Sequence, residues 1–187
     1  MGRLPADLPA GVLAHEAVRL GQRASDKLDA LRRSGAVLVD VGAVDSGYVD
    51  AMLAREELVS TFMGEGVAIP HGTNEAKAFV HRTALGFLQF PDGVDWGDGA
   101  IVTVCIPIAA AGGEHLALLS ALATVLVDPD KASALRSAAS ADDVLAILAA
   151  AAAEEDDEVD DDVDEEDEID DGSPDPERAV ATEGVQS

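Results

Sequence analysis

A single imidazole held between a proline and a glycine offers the best start for chemistry: His71, in Ala68-Ile69-Pro70-His71-Gly72-Thr73-Asn74-Glu75-Ala76-Lys77. Proline fixes the backbone on one side and glycine frees it on the other, so the ring can be presented at a defined angle from a tight connection. Taken alone, the pattern equally describes a surface histidine in a turn. A second histidine, His115, stands where an apolar run gives way to a helical pattern. Free backbone N–H groups and the macrodipole at a helix start disfavour imidazolium and attract anions, so His115 leans neutral and suits a phosphate. Its plainer reading is a helix cap. Arg55 closes the second helical pattern beside Glu56 and Glu57, where a surface ion pair or a dipole partner is the ordinary role. Together the three residues make an anion site. Phosphoryl transfer through histidine needs that set: a neutral ring nitrogen as nucleophile, a fixed opposite nitrogen, and donors for the phosphoryl oxygens.

Other constellations fail. Cys105 lies between Val104 and Ile106 in an apolar stretch and reads as an inert core thiol, and His81 follows a polar turn and faces solvent. His71 and His115 lack the His-Glu-x-x-His or Cys-x-x-Cys frame of a metal centre. The acidic run near Gly172 imitates a calcium loop, but Ile169 and Arg178 fall where oxygen ligands are required. No Walker loop or Gly-x-Gly-x-x-Gly fingerprint is present, so direct nucleotide use is unsupported.

The elements that must position these residues follow from periodicity. Residues 1–10, with Pro5 and Pro9, read as a lead-in, and Val12–Leu20 as an edge strand. Ser25 is placed to cap a helix with an apolar stripe of Ala24, Leu28, Leu31, Gly35 and Leu38, ended by Gly42; Ser46 starts a second through Val49, Met52 and Leu53. Thr61–Met63 and Val67–Ile69 read as short strands, and Thr73 as the start of a helical turn through Lys77. Thr83–Phe90 and Ala100–Ala110 read as the main strands, joined by turns at Pro91-Asp92-Gly93 and Gly97-Asp98-Gly99, with the second strand central because it is apolar on both faces. Three helices follow: one after Gly112-Gly113-Glu114 carrying Leu116, Leu119, Ala123 and Leu126, one over Pro129–Arg136, and one from the Ser140/Asp143 capping pair through about Ala153. Helices before, between and after strands predict an α/β fold, a three-layer α/β/α sandwich with a mixed β-sheet over residues 11–153.

Charge divides the chain. Residues 1–153 carry 19 acidic against 11 basic side chains, a net of −8, whereas residues 154–187 carry 18 against one, a net of −17. The second segment is expected to be an unfolded acidic tail. No Lys/Arg stripe exists for phosphate backbones, which excludes DNA or RNA as partner. The longest apolar run, Ala100–Ala111, is too short for a membrane span, no signal peptide is recognisable, and the lone cysteine suits a reducing compartment; a cytoplasmic protein is expected.

Four stretches in order carry a family likeness: Tyr48-Val49-Asp50-Ala51-Met52-Leu53-Ala54-Arg55-Glu56, Gly66-Val67-Ala68-Ile69-Pro70-His71-Gly72-Thr73, Gln89-Phe90-Pro91-Asp92-Gly93-Val94 and Glu114-His115-Leu116. Over roughly residues 11–150 the chain resembles the enzyme IIA (EIIA) domain of the mannitol/fructose class of the bacterial sugar phosphotransferase system (PTS). It is most similar to the mannitol type, through Gly72-Thr73-Asn74-Glu75-Ala76-Lys77 and the tyrosine-led second helix. The resemblance implies that His71 accepts a phosphoryl group from the phosphocarrier HPr as a tele-phosphohistidine and passes it to the cysteine of an EIIB domain on a separate permease chain. Arg55 and His115 match the family's supporting positions. It also implies that no metal or cofactor is needed, and that sugar never touches this domain. A regulatory module of the nitrogen type, which shares the fold and the histidine but signals by protein contact, is the alternative; a catalytically silent binding module is a third.

Overall fold

The computed structural model describes residues 11–153; the lead-in 1–10 and the acidic tail 154–187 lie outside the described residues. Strand β1 (Leu13–Arg19) opens the domain and helix α1 (Lys27–Asp40) follows. The helix is capped by Asp26, not Ser25: its Oδ1 accepts the Asp29 N–H at 2.9 Å, while the Ser25 hydroxyl spends itself on the Asp26 carboxylate. That start leaves Leu28 exposed and Ala24 outside the helix, so the buried stripe is Ala30, Leu31, Ser34, Gly35, Val37 and Leu38. Gly35 permits the close approach of α2 (Gly47–Leu58), since a Cβ there would sit 2.9 Å from a Val49 methyl and 3.2 Å from the Met52 sulfur.

Short strands β2 (Phe62–Gly64) and β3 (Val67–Ala68) precede a 3₁₀ turn, Asn74–Phe79. The expected turn at Pro91-Asp92-Gly93 is not there: β4 runs unbroken from Ala84 to Gly97. Proline cannot feed the ladder, and the strand absorbs the three residues as a bulge between the Gln89↔Val104 and Val94↔Val102 pairs, with Gly93 at φ +74°. The turn to β5 (Ala100–Cys105) is made at the second expected place, by Asp98 and Gly99, both at positive φ, the two-residue connection that matches strand twist. The run expected as one strand through Ala110 breaks at Pro107, and β6 (Ile108–Ala109) then pairs with β4.

The sheet order is β1-β4-β5-β3-β2, parallel at β1/β4 and β5/β3 and antiparallel at β4/β5 and β3/β2, so it is mixed and β5 is interior as expected. Side chains alternate between its faces. Val67, Leu85, Phe87 and Val104 pack with Leu118 and Leu122 of α3 (His115–Val127), Leu135 of α4 (Pro129–Arg136) and Val144 and Leu148 of α5 (Ala141–Ala153). Ala68, Leu88, Phe90 and Cys105 pack instead with Ala30, Leu31 and Val37 of α1. Two helices on one face and three on the other make the α/β/α arrangement. Cys105 is fully buried, which pushes its thiol up to about 12 and leaves it inert at neutral pH. No helix among the described residues is long and apolar enough to cross a membrane.

Candidate functional site

The segment that carries His71 is a continuation of the sheet rather than a free loop. Beyond β3 the chain keeps alongside β5 and β6: Ile106 N–H donates to Ala68 O at 2.9 Å, Ile108 N–H donates to Pro70 O at 2.9 Å, and His71 forms a parallel bridge with Ile108. His71 is therefore only 6% exposed, in contrast to the exposed turn histidine its local sequence suggests. Its ring Nδ1 lies 2.8 Å from Ile69 O. A carbonyl only accepts, so Nδ1 carries the proton, and the lone pair sits on Nε2.

Tyr48, near the start of α2, locks this geometry. Its hydroxyl donates to Ile108 O at 2.8 Å and accepts the Gly72 N–H at 3.0 Å, tying helix, sheet and His71 segment through one atom. Gly72 is needed for that approach, since a Cβ there would meet the Tyr48 ring at 2.7 Å. Tyr48→Phe keeps the packing but strips both partners of their bond. We expect a loss of about 2 kcal/mol in urea unfolding, with a shifted His71 Nδ1–H resonance; unchanged values of both would show that the hydroxyl positions nothing.

His115 is the first residue of α3, and its ring centroid lies 4.9 Å from that of His71, tilted by 56°. The turn before it is strapped by Thr83, whose hydroxyl accepts the Ala111 N–H at 3.0 Å and donates to the Glu114 carboxylate. Arg55, in the last turn of α2, donates to Val59 O at 2.8 Å and closes its own helix end. His71, His115 and Arg55 line one groove of about 470 Å³, so the three residues expected from the sequence are brought together. Leu58 and Leu116, each 75% exposed, give that groove an apolar rim. Among the described residues no group of three or more His, Cys, Asp or Glu gathers in a metal-binding cluster.

Both rings are held neutral. Burial, more than any other influence, lowers the basicity of His71; the Arg55 charge adds to this, while the bond to Ile69 and the charge of Glu56 oppose it. His115 is lowered by burial first and then by His71, Lys77 and Arg55. His81, as expected, is on the surface, 2.9 Å from Asp45.

Sequence reasoning overlooked Glu56. Read there as a surface partner of Arg55, it is 4% exposed and is bound by other residues. Its carboxylate takes Lys27 Nζ at 2.7 Å, the Trp96 indole N–H at 2.9 Å, the Ser60 hydroxyl at 3.1 Å and the Thr61 N–H at 2.8 Å. Burial works against its charge, yet the bonds from Lys27 and Thr61 hold it below the ordinary carboxylate range. A usable signal was present: the chain has one Trp and one Tyr, and such aromatics are buried with a partner for their polar atom.

Comparison with known proteins places this geometry. Residues 12–151 match the model of the "Phosphoenolpyruvate-dependent sugar phosphotransferase system, EIIA 2" family. The chain is 46% identical over 132 residues to a multiphosphoryl transfer protein of Escherichia coli O157:H7; the match covers 71% of this chain but only 35% of that relative, so the chain spans about a third of its length. To the mannitol-specific phosphotransferase enzyme IIA component of Geobacillus stearothermophilus it is 42% identical over 134 residues, which is 72% of this chain and 92% of that protein. Among solved structures, enzyme IIA of the mannitol system in its Escherichia coli complex with phosphorylated enzyme IIB superposes with a TM-score of 0.69 at 40% identity, covering 73% of this chain and 96% of that one. With a mixed sheet and a domain-length match to mannitol-type relatives, the chain belongs to the EIIA type 2 family of the phosphoenolpyruvate-dependent sugar phosphotransferase system.

Proposed function

We propose that the chain is a mannitol-type phosphocarrier that takes a phosphoryl group from phospho-HPr onto His71 Nε2 and delivers it to the cysteine of an EIIB domain on another chain. The observation that carries this reading is the 2.8 Å contact of Nδ1 with Ile69 O, which fixes the ring and leaves Nε2 as the free nucleophile in the groove. In the first step the Nε2 lone pair attacks phosphorus in line as the P–N bond of the donor breaks, and its electron pair returns to the donor ring. The proton stays on Nδ1. In the second step a cysteine thiolate attacks, and the P–N pair returns to Nε2. Arg55 and His115 stabilise the phosphoryl oxygens from the groove wall. The exposed Leu58 and Leu116 side chains suit a protein partner that seals the groove against water for each exchange. Residues 11–153 are read as the working domain, and 154–187 as an appendage to it.

Radiolabelled phospho-HPr should label His71, and a mannitol-type EIIB domain should then remove the label. Label taken up but retained in the presence of that domain would favour the regulatory, nitrogen-type reading; no uptake would favour a silent binding module. The sign of the pH dependence follows from the lowered basicity. A ring whose protonation falls below its usual value of about 6.5 keeps its lone pair as pH drops through 6.5. Nitrogen-resolved NMR should show His71 with bare Nε2 at pH 6.5 and protonation only at lower pH; a ring half-protonated at or above 6.5 would contradict the buried, neutral nucleophile.

A further inference from the structure

The stretch Gly72–Lys77 ends on a charge that the transfer scheme above leaves idle. Ten basic side chains lie among the described residues, and eight of them hold a hydrogen bond or ion pair: Arg19, Arg23, Lys27, Arg33, Arg55, Arg82, Lys131 and Arg136. Arg32 and Lys77 hold none. In a chain with 37 acidic residues against 12 basic ones, a lysine without a carboxylate partner is a conspicuous charge. Lys77 stands on the 3₁₀ turn six residues after His71, exposed, and lines a small cavity with Tyr48, Gly72, Thr73, Asn74 and His115.

That cavity and the catalytic groove share Gly72, Thr73, Asn74 and His115, which form the wall between them. At about 20 Å³ the cavity has room for one water and not for a phosphoryl group. The ammonium therefore has no anion to hold on its own side, and a flexible four-carbon stem to carry it to the wall's rim. The charges of Lys77 and Arg55 both act on His115, so the two cations gain a shared counter-charge once a dianion occupies the groove. This is electrostatic preorganisation toward the charged state.

Resting on the phosphocarrier reading, the geometry points to Lys77 as a further phosphoryl-oxygen ligand, which closes on the group carried by His71 Nε2 over the wall of Gly72, Thr73, Asn74 and His115. It makes no covalent bond and transfers no proton. Its effect falls on the phosphorylated state alone, so it shifts the equilibrium of exchange toward this chain.

The test uses the full chain with wild type, Lys77→Gln and Lys77→Arg in parallel, each equilibrated with phospho-HPr at low salt. Wild type should become labelled. Lys77→Gln should hold the phosphoryl group with an equilibrium constant about tenfold lower, the size of one charge-assisted hydrogen bond. Lys77→Arg should recover most of it, and near 1 M salt, where the screening length falls to about 3 Å, the difference should shrink. Urea unfolding of the unphosphorylated variants should match wild type, because the side chain is exposed. An equilibrium constant for Lys77→Gln equal to that of wild type overturns the inference, and so does a change confined to the KM for HPr, which would make Lys77 a docking residue. Failure of wild type itself to take label would instead sink the phosphocarrier reading, so the two failures are distinguishable.

Discussion

His71→Gln is expected to take up no phosphoryl group from phospho-HPr, at any donor concentration, while remaining folded. Glutamine has close to the volume of the imidazole and an amide able to donate to Ile69 O, so the segment that pairs with Ile108 has what it needs to stay in place. What disappears is the ring lone pair, and no neighbour can replace it: the Nε2 of His115 belongs to a ring whose centroid is 4.9 Å away and tilted, on a different element, outside the line of attack set by the first. Loss of a covalent nucleophile removes the reaction path rather than raising its barrier by a few kcal/mol. The measurement is acid-labile, base-stable phosphate on the protein. Label on the variant would move the chemistry to His115.

Glu56→Gln carries the second large effect, on stability. The carboxylate is the one anchor shared by the start of α1 through Lys27, the chain after α2 through Ser60 and Thr61, and the far end of β4 through Trp96. An amide keeps the shape but turns one acceptor into a donor facing N–H groups and leaves Lys27, 29% exposed, without its counter-charge. A loss of about 3 kcal/mol at pH 7 is expected in urea unfolding. Because the folded carboxyl is held below its ordinary range, its contribution is complete above about pH 4.5 and is lost as pH falls through the folded value. The gap between wild type and variant should therefore narrow in acid. A gap that stays constant from pH 7 to pH 3 would mean that the charge contributes nothing. Because Arg55 is the adjacent residue on α2, the same variant should also slow phosphoryl uptake.

How much of this could be read from the chain depends on how far the deciding contact lies. Helices α3, α4 and α5 and the edge strand β1 were legible because their patterns are local. So was the gathering of His71, His115 and Arg55 in one groove, which the residue types suggested and the family resemblance implied. The turn at Pro91-Asp92-Gly93 was misread because those residues signal a hairpin wherever they occur, and only the register against β5 shows a bulge there. The burial of His71 was invisible because the residue it pairs with, Ile108, lies more than thirty residues on. Glu56 escaped for the same reason: its neighbours in sequence are Arg55 and Glu57, but the two partners that bury it, Lys27 and Trp96, are 29 residues before it and 40 after.

The Ile69 carbonyl behind the His71 ring sets a chemical limit as well as an angle. An orienting carboxylate would neutralise the cation that forms when Nε2 gains phosphorus, strengthen the ring's hold, and turn the phosphohistidine into a store. A backbone carbonyl polarises without neutralising, so the ring remains a good leaving group. On the phosphocarrier reading, a group taken up there departs with little loss of transfer potential, as a relay between successive protein carriers requires.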